Sequence, residues 1–316
     1  MYRFIAYRFI RIIPLLIAIS LVTFVLLHLA PGGPAGVLAG NPRISDRDID
    51  RIRENMGLDD PLPVQYLRWF KSTFLEFDFG TSYVTGRPVT DMILDRLPAT
   101  LYLMGTAFLL ALIAGLVIGV ISALTRGGII DQLFSMVSVA GISIPVFWFG
   151  LMAILIFSIK LDLLPAGGIG DMETGGISFK HLILPACVLG LAYLSAWGQY
   201  IRTGMIETMK LDFITTARAK GLGSPAILFK HALKRSVLPA VAAISMQVST
   251  LFTGAVITET VFSWPGMGMM FYQGLQRHDY TRVLGIVVIA AIVIILFNFI
   301  GDTICILLDP RGREKA

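Results

Sequence analysis

Charge is scarce in this chain, and so are the residues that most enzymes use for chemistry. Of 316 residues only 15% are Asp, Glu, Lys or Arg, against 55% apolar ones, which excludes an ordinary soluble domain. There are two cysteines, Cys187 and Cys305, in different apolar runs. On the topology derived below they lie near opposite faces of a hydrocarbon layer roughly 30 Å thick, too far apart for a disulfide. Neither belongs to a metal-binding spacing, so both read as small buried apolar residues. The four histidines, His28, His181, His231 and His278, are scattered without ligand spacing, which speaks against a metal site within the chain. No Gly-x-x-x-x-Gly-Lys-[Ser/Thr] loop occurs, so any ATP that drives this protein is bound by another polypeptide. No Gly-x-Ser-x-Gly nucleophile motif occurs either. Fixed-period repeats and low-complexity tracts are missing too.

What is present is apolar sequence in long runs. A membrane span needs about 20 predominantly apolar residues, and six segments qualify, near 10–30, 98–124, 133–159, 182–201, 237–261 and 282–308. The expectation is an all-α polytopic membrane protein with six transmembrane helices. The first run follows Arg3, Arg8 and Arg11, as a secretory signal would. Its apolar core is longer than the 7–15 residues of such a signal, and Pro31 follows directly on the only small-residue cleavage point, Ala30, so it reads as retained.

Orientation follows from where Lys and Arg collect beside the spans. The amino terminus, the 202–236 loop (Arg202, Lys210, Arg218, Lys220, Lys230, Lys234, Arg235) and the tail (Arg311, Arg313, Lys315) are basic. The loops at 160–181 and 262–281 carry few positive charges. Both termini are therefore expected in the cytoplasm of a multi-pass protein. The formal net charge of +5 then needs no nucleic acid to explain it.

Four regions result: 1–30, the cytoplasmic amino terminus and first span; 31–97, an extracytoplasmic helical insertion; 98–308, a core of five spans with the 202–236 loop; and 309–316, a cytoplasmic tail. Within 31–97, Ser45 can cap a helix carrying Ile49, Ile52 and Met56 at helical spacing, with Asp46 and Asp48 in its first turn and Gly57 as terminator. A second helix is expected to start at Pro63, with Val64, Leu67, Phe70 and Phe74 on one stripe. Ten acidic and eight basic residues over 31–97 produce no strong field. This region reads either as a folded linker or as a docking face.

Ionisable groups inside spans usually mark ion or proton paths. Here they are few: Asp302 near the inner end of span six and Glu259 near the outer end of span five. That argues against a proton-coupled carrier, and each carboxylate reads as interfacial or packing ahead of a substrate contact. Gln199, Gln247, Asn298, Ser245 and Thr258 are polar and uncharged. They line a passage or form interhelical hydrogen bonds worth only about 1 kcal/mol each; both readings stay open.

The 202–236 loop is the most informative segment. Met209, Phe213, Thr216 and Ala217 recur three to four residues apart, Gly221 and Gly223 follow, and Ser224-Pro225 open a second helix with Ile227, Leu228 and His231. The pattern predicts helix, sharp turn, helix. Joining two spans takes only a few residues, so a basic hairpin this long points to a partner surface, with an amphipathic element on anionic lipid as the alternative.

The segment also resembles the cytoplasmic coupling loop of ABC importer permeases, whose pattern is Glu-Ala-Ala, three residues, Gly, nine residues, Ile-x-Leu-Pro. Thr215, Thr216 and Ala217 fall on the triplet, Gly221 on the glycine, and His231, Leu233 and Lys234 on Ile, Leu and Pro. Ala217, Gly221 and Leu233 match letter for letter. The fuller string Thr216-Ala-Arg-Ala-Lys-Gly-Leu222, with His231-Ala-Leu233 beyond it, is similar to the variant of the oligopeptide, dipeptide and nickel branch.

Other pieces in the same order resemble the first, B-type permease of that branch. They are Leu29-Ala-Pro-Gly32, Asp78-Phe-Gly-Thr-Ser82, Gly86-Arg-Pro-Val89, Arg96-Leu-Pro-Ala-Thr100, Ile144-Pro-Val-Phe-Trp148, Leu164-Pro-Ala-Gly-Gly168, Glu259-Thr-Val-Phe-Ser-Trp-Pro-Gly266, Arg277-x-Asp279-Tyr280 and Asp309-Pro310. The resemblance implies a type I ABC importer permease fold in a bacterial cytoplasmic (inner) membrane. It implies a second homologous permease, two ABC ATPases that hold ATP and Mg, and an extracytoplasmic substrate-binding protein, with no cofactor and no enzyme activity in this chain. ATPase coupling is expected at Thr216, Ala217, Arg218, Ala219, Lys220, Gly221, Leu222, Gly223 and Ser224. Thr215 stands where the generic pattern has Glu, and Lys234 where it has Pro, so a salt bridge from the generic Glu does not carry over. Import of nickel, glutathione or a sugar is the alternative within the class; a channel or secondary carrier, and behind it a membrane enzyme, are the alternatives outside it.

Overall fold

The computed structural model describes residues 2–29, 57–170 and 176–308. The helix expected over Ser45 to Met56 and the tail 309–316 lie outside them, as do Pro31 and Thr174. Gly57, expected as that helix's terminator, takes φ 63°. Among the described residues the elements are helical, with one isolated β-bridge between Thr81 and Pro88.

In chain order they are α1 (Tyr2–Leu29), α2 (Leu62–Leu75), α3 (Val89–Leu124), α4 (Ile129–Ser143) and α5 (Val146–Ala153), which continues as a π-helical stretch, Ile154–Lys160. Then come α6 (Phe179–Thr208), α7 (Asp212–Ala219) and α8 (Ser224–Ala226), followed by a second π-helical stretch, Ile227–Ala232. The last three are α9 (Leu233–Val261), α10 (Met267–Gln276) and α11 (Tyr280–Leu308).

Four helices are long and apolar enough to cross a membrane, and six spans result if each of two bent pairs counts as one. The run read as a single span over 133–159 is one of those pairs, bent by 106° between α4 and the Val146–Lys160 segment. Pro145 causes the break. Its ring disfavours the helical region for the residue before it, and Ile144 accordingly sits at φ −82°, ψ 127°. Elsewhere proline is absorbed: Pro98, Pro185 and Pro239 lie inside helices, where local adjustments and neighbours satisfy the freed carbonyls. For that reason α3 begins at Val89, ahead of the expected 98, and α9 begins at Leu233, ahead of 237. The 56° bend of the second pair falls beyond Pro239, between Ser245 and Thr250 of α9.

The described residues form two compact units: those within 2–100 with 265–295, and those within 101–264 with 296–308. The 265–295 segment belongs to the amino-terminal unit. The core of that unit is Phe79, Val89, Met92, Ile93, Met267, Met270, Ile286 and Val288. There α2 turns an aromatic face inward: Trp69 and Phe74 pack on this core, and the Tyr66 hydroxyl lies 2.9 Å from the Ser20 hydroxyl of α1. Val64 and Leu67, expected on the packed stripe, are exposed. Tyr66 decides the rotation, since its ring packs edge-on against Phe24 of α1 while its hydroxyl is satisfied.

In the second unit Ala111, Phe134, Leu194, Trp197, Ile201, Ala240 and Ile244 form the core. Gly115 and Gly119 of α3 lie against Gly198 of α6; a Cβ on Gly119 would sit 2.6 Å from the Gly198 carbonyl oxygen. Such small-residue spacing lets membrane helices pack backbone to backbone. Large apolar side chains are exposed along α1, α3, α4 and α11, as helices facing hydrocarbon require. Cys187 and Cys305 are unpaired and half-buried.

Several of the short motifs find one another. Asp279 accepts hydrogen bonds from the Ser82 hydroxyl and, at 3.2 Å, the Tyr83 N–H. Arg96 donates to the Pro265 carbonyl and the Thr100 hydroxyl accepts from the Met267 N–H. In the other unit the Gly168 N–H donates to the Phe262 carbonyl over 2.9 Å.

Candidate functional site

The 202–236 segment folds as a hairpin. After α6 ends at Thr208, the N–H groups of Met209, Lys210 and Leu211 close a tight turn on Met205, Glu207 and Thr208. Asp212 then opens α7, where a carboxylate is favoured by the helix dipole. Of the expected stripe of Met209, Phe213, Thr216 and Ala217, Met209 and Ala217 pack into the hairpin's core, while Phe213 and Thr216 are exposed. The inward face is Ile214, fully buried, with Ala217. They pack with Met205, Ile227 and Ala232, while Val120, Ala123 and Leu222 close the cluster. Phe213 faces outward instead, beneath the Arg235 guanidinium at 5.6 Å from its ring centre.

The end of α7 is a Schellman turn. Leu222 N–H bonds to the Ala217 carbonyl (3.2 Å) and Gly221 N–H to that of Arg218 (2.9 Å), with Gly221 at φ 79°. Gly223 is extended, and Ser224-Pro225 start α8 with proline in the first turn. The hairpin tip therefore presents Thr216, Arg218, Ala219, Lys220, Gly221, Gly223 and Ser224 to solvent, with Leu222 half-buried and Ala217 buried beneath it. Phe229, on the second π-helical stretch, is 68% exposed and adds an aromatic to this basic surface.

One constellation was not read from the sequence. Asp131 of α4, 4% exposed, takes a bidentate ion pair from Arg202 of α6, with Nε at 2.6 Å and Nη2 at 2.8 Å. It also accepts from the Ser122 hydroxyl and the Gly127 N–H. The sequence marks Arg202 only as a loop charge, and Asp131 falls two residues before the expected span start at 133. The available signal was an acidic residue just after the Gly127-Gly128 turn, at the head of an apolar helix.

The five polar residues expected at a passage or between helices are placed differently from one another, with Gln199 half-buried on α6. Gln247 accepts a 2.9 Å hydrogen bond from the Trp197 indole and donates to Tyr200, so it joins α9 to α6. Thr258 is buried and bonds back to the Gly254 carbonyl. Asn298 of α11 is half-buried, and its Oδ1 has no hydrogen-bond partner among the described residues. Ser245 lines an apolar cavity of about 610 Å³ between α3, α9 and α11, bordered by Phe108, Val248 and Gly301. Glu259 is completely buried and Asp302 half-buried.

The apolar helices are those of a polytopic membrane protein, and the comparisons give its family. The chain belongs to the binding-protein-dependent transport system inner membrane components: that family matches residues 115–314, and its amino-terminal counterpart matches 1–104. It is 38% identical to the oligopeptide transport system permease protein AppB of Bacillus subtilis, covering 95% of each chain. It is 36% identical to the dipeptide transport system permease protein DppB of Escherichia coli over the whole of both chains. It is 33% identical to the glutathione transport system permease protein GsiC of Salmonella paratyphi A, again over both whole chains. Among solved structures, the inward-facing MetNI methionine ABC transporter matches 70% of this chain and 97% of its own, with TM-score 0.56 and 21% identity. The fold is thus that of a type I ABC importer permease.

Proposed function

We propose that the chain is one of two permease subunits of an ABC importer for di- or oligopeptides, forming half of the translocation path. The observation that carries the peptide assignment is the full-length similarity to permeases named for oligopeptide and dipeptide transport. Coupling to the two cytoplasmic ATPases, which hold ATP and Mg, falls to the hairpin tip from Thr216 to Ser224. Its support is physical: the turn is rigidly capped and its basic outer face is solvent-exposed, while its apolar face is already buried in the hairpin's own core. A surface of that kind fits a partner's groove. Both termini then lie in the cytoplasm, and an extracytoplasmic binding protein delivers substrate on the other side.

The test is uptake by cells whose only peptide importer carries this permease. Labelled di- and tripeptides should enter in an ATP-dependent manner, and ATPase subunits should co-purify with the permease. Glutathione is the second reading, favoured by the relative named for glutathione transport. Competition with unlabelled glutathione separates the two, because strong competition with no effect of dipeptides would transfer the assignment.

A further inference from the structure

The Asp131 carboxylate gathers three elements at the base of the hairpin. Its donors are Ser122 in the last turn of α3, Gly127 in the turn between α3 and α4, and Arg202 of α6, six residues before that helix ends at Thr208. The hairpin's own core draws on the same places: Val120 and Ala123 flank Ser122, and Met205 follows Arg202 by one helical turn. The helix backbones there are in close contact, Gly119 against Gly198 and Gly204 against Ser236. A buried ion pair adds little stability over well-packed apolar residues. What the two-pronged contact of a guanidinium does supply is a fixed orientation.

We propose that Asp131 and Arg202 are positioning residues for coupling. They clasp the stem of the hairpin to the α3–α4 turn, so that a push on the tip moves α3, α4 and α6 as one body and does not flex the stem. The proposal rests on the reading of the hairpin as the ATPase contact and adds the pair that stiffens it.

The experiment uses the complete complex in lipid nanodiscs: both permeases, both ATPases and the binding protein with the ligand it carries from the cell. Asp131→Asn and Arg202→Lys keep size and polarity but lose the two-pronged ion pair. Each should assemble with the ATPases to within about twofold of wild type, while stimulation of ATP hydrolysis by binding protein falls at least fivefold. A second variant, Asp131→Cys with Arg202→Cys in a background lacking Cys187 and Cys305, should be equally unresponsive. A short bis-methanethiosulfonate cross-linker should restore at least half the stimulation, and reduction should abolish it again.

Full stimulation in Asp131→Asn overturns the proposal, as does a cross-linked pair that assembles yet stays unresponsive. If the single variants fail to assemble, the pair cross-linked in membranes before extraction decides between these outcomes. A wild-type complex that carries no ATPases would instead refute the importer reading.

Discussion

Replacing Gly221 by alanine, asparagine and valine separates backbone strain from crowding at the hairpin tip. Gly221 holds φ 79° and supplies one of the two hydrogen bonds that end α7. A Cβ built there meets nothing within 4 Å, so within the chain the cost of a side chain is conformational alone. An L-residue in the left-handed region costs roughly 1–2 kcal/mol, which lowers the ratio of intact to opened turn by a factor of about 5–30. Valine, β-branched, should lie at the upper end, alanine in the middle, and asparagine near glycine because its short polar side chain hydrogen-bonds locally.

The assay is peptide uptake per unit of permease in the membrane, with abundance read by immunoblot. Abundance should not change, because the turn is outside the spans. Uptake should fall about tenfold or more for Gly221→Val, severalfold for Gly221→Ala and little for Gly221→Asn, in step with those ratios if coupling draws on the intact turn. Wild-type uptake by Gly221→Val would refute the role of the hairpin. Asparagine worse than alanine would refute the strain argument and place the limit in the partner's groove.

Further outcomes follow from the same geometry. Gly119→Ala drives a Cβ to 2.6 Å from a backbone oxygen of α6, whereas Gly105→Ala on the same helix meets nothing. The first should destabilise by about 1–3 kcal/mol as overpacking does, seen as a lower melting temperature in detergent, and the second should be neutral or better. Asp279→Ala leaves the Ser82 hydroxyl and Tyr83 N–H without their acceptor. It should cost roughly 1–3 kcal/mol by the same thermal measurement, with no loss of ATPase co-purification. For topology, cysteine at exposed Thr85 should react in intact cells with an impermeant thiol reagent, and cysteine at exposed Ser224 only after the membrane is opened. Labelling of Ser224 from outside would reverse the orientation.

Much of this architecture is written in local signals that act alone. Apolar runs long enough to span needed no tertiary context, and the Gly221, Gly223 and Ser224-Pro225 punctuation placed the hairpin turn within the residues where the Schellman geometry closes. What was illegible depended on partners distant in sequence. The inward face of α2 turned on Tyr66 meeting Ser20, which no helical stripe encodes. Nothing in the sequence around Asp131 names the partner that α6 brings to it, Arg202. Pro145 carried a legible warning, being preceded by a residue that cannot easily stay helical, yet Pro98, Pro185 and Pro239 do not break their helices. The short motifs were recognisable singly, while their mutual contacts, such as Ser82 with Asp279, appear only in three dimensions.

The central claim is ATP-driven import coupled through this chain. It is tested most directly in proteoliposomes holding the complete complex, with loaded binding protein outside and ATP enclosed at the ATPase face. Labelled dipeptide should accumulate only when both ATP and binding protein are present, and collapsing the proton and sodium gradients with ionophores should leave the rate unchanged. Accumulation without ATP, or accumulation lost with the ion gradients, would contradict the account.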